Sequence, residues 1–288
     1  MLSIILLIFD KAHTKVKHPI LISTGVFTLI ILLLAGAYWY GAHTQLQSLF
    51  GEHYNAEVAE DIGVLPERIE DNLFLDHLTS AEGLVLPVYV GGILSLDGLT
   101  SAKGLILPEY AASHISLSGL TSPEGLVLPE KIIGTLNLEG LTSGKGLVFP
   151  EDMEGSLYLT GLTSAEGLIL PRSIKGYLNL KGLTSPDNLI LPEYIGEDLN
   201  LGGLTFGKGL TFPERIDDSL YLMNLKNAKG IIFPKRIGGR LNLSGLTTIE
   251  DLELPEFVGS DIFIKKLSPG DIAKLKIEYP DFKFTLLR

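Results

Sequence analysis

A mainly β solenoid is the fold class that this chain predicts, on three observations. Ten consecutive stretches of 21 residues follow one another with no insertion or deletion, every stretch carries a proline at the same place, and L-x-L doublets recur at a spacing of two. A fixed period of this size marks stacked repeats. The doublet spacing is that of a strand, in which alternate side chains share a face. The proline, with one to four glycines per stretch, leaves no room for a regular helix.

The copies begin at Ile62, Gly83, Gly104, Gly125, Gly146, Gly167, Asn188, Gly209, Gly230 and Asp251, and the cleanest runs from Gly167 to Asp187 as GLILPRSIKGYLNLKGLTSPD. Positions are numbered here from the first residue of each copy. The fifth is always proline, Pro66 through Pro255, and the seventeenth always leucine, Leu78 through Leu267. Aliphatic or aromatic residues recur at the second, fourth, eighth, twelfth and fourteenth. Two short strands per coil are expected, LILP and YLNL in the cleanest copy, with a corner at the proline and a second at GLTS. The glycine of that second corner (Gly98, Gly119, Gly140, Gly161, Gly182, Gly203, Gly245) is expected to adopt positive φ. One coil buries too little apolar surface to offset the ordering of its backbone, so coils must stack, and the stack must be capped.

Capping signals stand at the C-terminus. Ser268 and Pro269 have the N-cap and N1 arrangement of a helix, with Asp271 in its first turn. Ile272, Leu275 and Ile277 offer an apolar side, Pro280 ends the helix, and Phe282 to Leu287 suit a closing strand that blunts the ladder edge. Before the repeats, Ile20 to Tyr40 is 21 residues without a charged side chain, enough for a transmembrane helix. Its end at Tyr38, Trp39 and Tyr40 suits a headgroup interface. Lys11, Lys15 and Lys17 precede it and no Lys or Arg follows until Arg68, which places the N-terminus in the cytoplasm and the repeats outside. The rival is a cleaved signal peptide, since Ala35, Gly36 and Ala37 form a small-x-small site. The expected organisation is a cytoplasmic segment 1–19, a transmembrane helix 20–40, a linker or N-terminal cap 41–61, the solenoid 62–267 and a C-terminal helix and strand cap 268–288.

Composition narrows the function classes. The chain has no cysteine, so no disulfide framework supports it. Its formal charge is −11, which disfavours nucleic acid as a partner. No cofactor or metal site and no catalytic centre is expected: within the repeats only His77 and His114 are histidines, and no phosphate-binding glycine loop or metal-ligand spacing occurs. The acidic sixth position (Glu67, Glu109, Glu130, Glu151, Glu193, Glu214, Glu256) fits a solvated face better than a cation site. The Thr-Ser pairs after the seventeenth-position leucine fit hydroxyls that satisfy turn backbone.

Two outward columns remain as candidate surfaces. The third position is β-branched in most copies, from Val64 to Ile232, although it lies between two inward residues. It is either a docking or lateral-association flank, or strand propensity with partial cover from a neighbouring corner. The thirteenth position varies most usefully, with tyrosine and asparagine that combine contact area with hydrogen bonding. The candidate binding face is Tyr158, Asn179, Asn200, Tyr221 and Asn242, with Tyr177 beside them at the eleventh position. An ordinary strand face with asparagines stacked between coils is the alternative there.

The motif I-x-G-x-L-x-L-x-G-L-T-S, with L-x-L-P opening the next coil, resembles bacterial leucine-rich-repeat-like surface proteins with short repeats. The resemblance spans residues 62 to 267, about seven tenths of the chain. It departs from L-x-x-L-x-L-x-x-N in placing Leu78, Leu99 and their equivalents at the asparagine position, which favours a straighter β-solenoid over an asparagine-lined horseshoe. The resemblance implies binding or adhesion. The expected function is therefore a single-pass, membrane-anchored extracytoplasmic scaffold that binds a protein or glycan partner at the cell envelope. The alternative is a structural envelope spacer with no specific ligand.

Overall fold

The computed structural model describes residues 53–55, 65–111 and 113–287. The chain divides into two units, Met1–Gly51 and Glu52–Arg288, and the described residues belong to the second. Ile20 to Tyr40, with the membrane helix expected there, lies outside the described residues. Among those described, no helix is long and apolar enough to cross a membrane.

The second unit is a parallel β-solenoid of about ten coils. A 12-stranded sheet runs its length, built from the twelfth and thirteenth positions of each coil, as in Leu157–Tyr158 and Leu178–Asn179. Successive strands pair in parallel with a register of one repeat, Leu157↔Leu178 and Leu178↔Leu199. Inward leucines of this strand and the next corner, such as Leu157, Leu159 and Leu162, are fully buried. With the eighth-position aliphatics, such as Ile174 and Ile195, they form one continuous core.

The second strand of each coil differs from expectation. LILP lies outside the ladders, and the strand forms after the proline, at positions seven and eight, as in Ser173–Ile174. Two donors explain this. The second-position N–H is spent in a turn, Leu168 N–H donating to the Ala165 carbonyl at 3.1 Å, and the fifth-position proline has no N–H. The third-position pair Thr211↔Ile232 forms an isolated parallel bridge. Past the proline the ladder starts at once, with Arg172 N–H donating to the Glu151 carbonyl at 2.8 Å. These strands make a three-stranded sheet, Arg68–Ile69 to Tyr110–Ala111, and a six-stranded sheet, Asp152–Met153 to Phe257–Val258. The break follows Ala111, where the inward eighth position carries the smallest side chain of the column.

The corner glycines also exchange roles relative to expectation. Positive φ occurs at the first position, as at Gly83 (78°), Gly146 (87°) and Gly209 (86°), where Asn188 (62°) and Asp251 (56°) substitute for glycine. This residue is third in the turn closed by the second-position N–H, a site that demands φ above zero. The sixteenth-position glycine, replaced by His77, Asn224 and Lys266 in three coils, is instead closely approached by backbone where it occurs. A Cβ on Gly161 would fall inside van der Waals contact with the Glu139 and Leu141 carbonyl oxygens of the preceding coil. The Thr-Ser pair acts as expected, since Ser164 Oγ accepts from Glu166 N–H at 3.2 Å and the same bond recurs at Ser80, Ser101, Ser122 and Ser143.

Both ends of the long sheet are extended by strands from outside the repeats. His53–Asn55 pairs in parallel with Asn72–Phe74, and Lys283–Leu286 pairs in parallel with Asp261–Ile264. Helix α1, Pro269–Glu278, starts with Ser268 as N-cap, its Oγ accepting from Asp271 N–H at 3.1 Å. Its inward side is Ile272, Leu275 and Tyr279, whereas Ile277 is exposed, so the apolar side expected at 272, 275 and 277 is corrected to a line of spacing three and four. Tyr279 ties the cap to the tenth coil by donating to the Leu252 carbonyl at 3.4 Å.

The two glycine classes predict different tolerances. Gly146→Asn places in the first position a residue already found there at Asn188, and should change stability by less than about 1 kcal/mol. Gly161→Ala drives a methyl toward the Glu139 and Leu141 carbonyls and should cost about 1–3 kcal/mol, since the corner must shift as it does at Asn224. Thermal denaturation of both variants checks the assignment. Deleting Gly146 to Glu166 rejoins equivalent corners and should leave a folded, shorter stack, whereas deleting ten of those residues turns leucines outward and should abolish the cooperative transition.

Candidate binding surface on the long sheet

The outward face of the 12-stranded sheet is lined by positions eleven, thirteen and fifteen. At the thirteenth, the side chain must share space with a tight turn into GLTS, and two chemistries solve this. Where it is asparagine, Oδ1 accepts from the N–H two residues on: Asn137 from Glu139 at 3.0 Å, Asn179 from Lys181 at 3.2 Å, Asn200 from Gly202 at 2.9 Å and Asn242 from Ser244 at 3.1 Å. Where it is serine, the preceding coil supplies an aspartate. Asp97 Oδ1 accepts from the Ser116 hydroxyl at 2.6 Å and the Ser118 N–H at 2.8 Å, and Asp76 does the same for Ser95 and Asp97.

These bonds sort the candidate residues. Asn179 and Asn242 are buried, and their carbonyl oxygens belong to the turns. Tyr158, Tyr177, Asn200 and Tyr221 are half-buried and lie together across four adjacent strands, since Tyr158, Asn179, Asn200 and Tyr221 are successive ladder partners. Asn200 Nδ2 donates to Tyr177 Oη at 2.9 Å, and the Tyr177 ring stands edge-on to Tyr158 at 5.3 Å and 89°. Asn200 thus spends its oxygen on the turn and one amide hydrogen on Tyr177, which fixes both side chains. Burial, with the carboxylates of Glu139, Glu197 and Asp198, raises the Tyr158 pKa above its ordinary value; burial raises that of Tyr177 despite the Asn200 bond. The phenols therefore stay neutral at physiological pH.

A second aromatic column lies on the other ladder, at position seven. Arg68 covers the Tyr89 ring at 3.5 Å, Tyr89 stacks on Tyr110 at 5.0 Å and 7°, and Arg236 covers Phe257 at 3.8 Å. Tyr194 Oη donates to Asp217 at 2.9 Å. Arg68 and Arg236 occupy the same repeat position one coil before Tyr89 and Phe257, so the ladder register itself lays each guanidinium on a ring. Sixth-position carboxylates are partly neutralised along this edge: Arg172 pairs with Glu151 at 3.0 Å and Lys235 with Glu214 at 2.7 Å. Such exposed pairs add little stability. Among the described residues no group of three His, Asp or Glu is placed to hold a metal ion.

The third-position column is uncovered. Val85, Ile106, Val127, Val148, Ile169, Ile190 and Ile232 are each 72–80% exposed. Partial cover by a neighbouring corner is therefore overturned for these residues.

Comparison with protein-family models, with curated proteins and with solved structures gives no match. The fold defines a β-solenoid repeat protein with a spacing of about 21 residues, and none of the comparisons supports membership of the leucine-rich-repeat family.

The Asp97 cradle carries a pH dependence. Burial works against its charge, but the bonds from Ser116 and Ser118 outweigh that and hold its pKa below the ordinary value. A folded pKa below the unfolded one gives stability that is present above the unfolded value and lost as pH falls through the folded one. Acidification below about pH 4 should therefore lower the melting temperature of the native chain more than that of Asp97→Asn, which keeps an accepting oxygen without the charge. Equal acid sensitivity of the two would contradict the assignment.

Proposed function

We propose that this chain is a recognition scaffold whose binding surface is the tyrosine cluster on the long sheet, presented outside a membrane that Ile20 to Tyr40 anchors. The observation that carries the reading is the Tyr158–Tyr177–Asn200 cluster, three side chains held by one another rather than left mobile. Rigid aromatics that combine apolar area with a hydroxyl bind at low entropic cost. A protein or glycan partner suits them: the flanking carboxylates disfavour an anionic ligand such as nucleic acid, and neutral phenols offer donors to carbonyl or hydroxyl oxygens. The proposed binding set is Tyr158, Tyr177, Asn200 and Tyr221, with Asn179 and Asn242 as the turn-forming neighbours that shape it.

Membrane anchoring is supported by the length of the uncharged run and by the lysines on its N-terminal side alone. The reading as an envelope spacer is favoured by one observation, the use of the asparagine side chains in turns, which removes them from ligand contact.

Tyr158→Ser with Tyr221→Ser should leave circular dichroism and melting close to native, because the core is on the other face of the sheet. Capture of envelope proteins or glycans by the full-length chain in detergent should fall by about tenfold or more. Unchanged capture with unchanged melting would remove this face and leave the spacer. External protease on intact cells should digest the solenoid; full protection until lysis would reverse the orientation.

A further inference from the structure

The third-position column has no role in the fold or in the proposed binding surface. Its residues lie outside both ladders, apart from the Thr211↔Ile232 bridge, so strand propensity does not explain their β-branching. They do not fill the core, and no part of the described chain covers them. Yet the column keeps Val or Ile in six consecutive coils from Val85 to Ile190, returns at Ile232 after Thr211, and ends in Glu253. Its flanks are bare. The first position on one side is mostly exposed glycine without a side chain, and the fifth on the other is a proline buried in most coils, so the stiff β-branched side chains stand out as a ridge along this wall of the coil.

We propose that this wall is the seat of a second copy of the chain, and that two solenoids associate flank to flank along it. Period decides the occupant. A ridge with one tooth per coil, about 34 Å long from Val85 to Ile232 at the ladder spacing of ~4.8 Å, is matched over its whole length only by a surface of the same period, and a second copy supplies one. Area agrees. Each aliphatic side chain presents roughly 60–120 Å² of apolar surface when bare, so seven of them at near three-quarters exposure give roughly 300–600 Å². The exposed first-position glycines add to this, while the prolines are mostly buried, so the wall matches the smaller, transient class of interface at up to about 600 Å² per partner. Charge permits the approach. The chain is strongly acidic, but the twenty-first position bordering the ridge mixes Lys103, Lys145, Lys208 and Lys229 with Glu82, Glu124, Glu166, Asp187 and Glu250. Repulsion between two rods is therefore weak at this flank. The tyrosine cluster lies on another wall and stays free in the pair.

The chain has no native cysteine, which makes the test clean. Full-length protein in detergent should have the protein mass of a dimer by light scattering at micromolar concentration. Val127→Lys with Ile169→Lys puts four ammonium groups into the interface and should weaken dimerisation by about 100-fold or more, with circular dichroism and melting unchanged. Val148→Cys lies near the middle of the ridge, so its thiol meets its mate whether the rods run parallel or antiparallel. Under mild oxidation it should link most of the protein as dimer, whereas Lys181→Cys, exposed on the long sheet, should not. A monomeric native chain would overturn the proposal. So would a double-lysine variant that stays dimeric, which would assign association to the N-terminal segment, or Val148→Cys linking no faster than Lys181→Cys.

Discussion

The carbonyl oxygens of one coil occupy the space where a side chain of the next would begin. At the sixteenth position, Gly98, Gly140, Gly161 and Gly182 all face the fifteenth- and seventeenth-position carbonyls of the coil before, too close for a Cβ. This contact sets the spacing of the corner, and the corner delivers the twelfth-position leucine in register with its equivalent 21 residues away. An inserted residue would move every leucine of that strand to the outer face. Close approach thus fits the strict 21-residue register in the glycine-cornered coils, while Asn224 and Lys266 show that the corner admits a Cβ in two others, and the core remains one continuous cluster.

The walls of the coil divide the work. Positions twelve and thirteen carry the continuous ladder, whose outward side chains are held by turn bonds and by one another. Positions seven and eight carry a ladder broken once after Ala111, with arginines laid on aromatic rings. Positions two to five stay outside the ladders, apart from the Thr211↔Ile232 bridge, because of a turn-bonded N–H and a proline, and they expose the β-branched ridge. A laddered face with fixed polar and aromatic groups suits recognition. An unladdered apolar face with the period of the protein itself suits a copy of that protein.

Much of this was legible in the sequence because period and patterning are long-range signals. The coil count, the inward leucines, the Ser268 cap and the outward third position follow from spacing alone. Three features were not legible. The position of the second strand depends on which N–H groups remain available, and LILP reads as a strand until Leu168 is known to donate backward to Ala165. The two glycine roles look identical in sequence; only the substitutes Asn188 and Asp251 at the first position hint that positive φ is needed there rather than at Gly161. In the candidate site, asparagine at the thirteenth position reads equally as ligand contact or as turn former. The hydrogen bonds of Asn179 and Asn242 favour the turn, while Asn200 has a hydrogen left for Tyr177.

Native-state amide hydrogen exchange tests the division of the coil most directly. Leu157, Leu159, Leu178 and Leu180 donate their N–H groups to the next coil at 2.8–3.0 Å, so they should exchange only through unfolding of the stack. The third-position amides of Val148 and Ile169, in the same coils and outside the ladders, should exchange orders of magnitude faster. Equal protection at both sets would mean that the proline-led segment is laddered after all, and would contradict the account of how these coils are held.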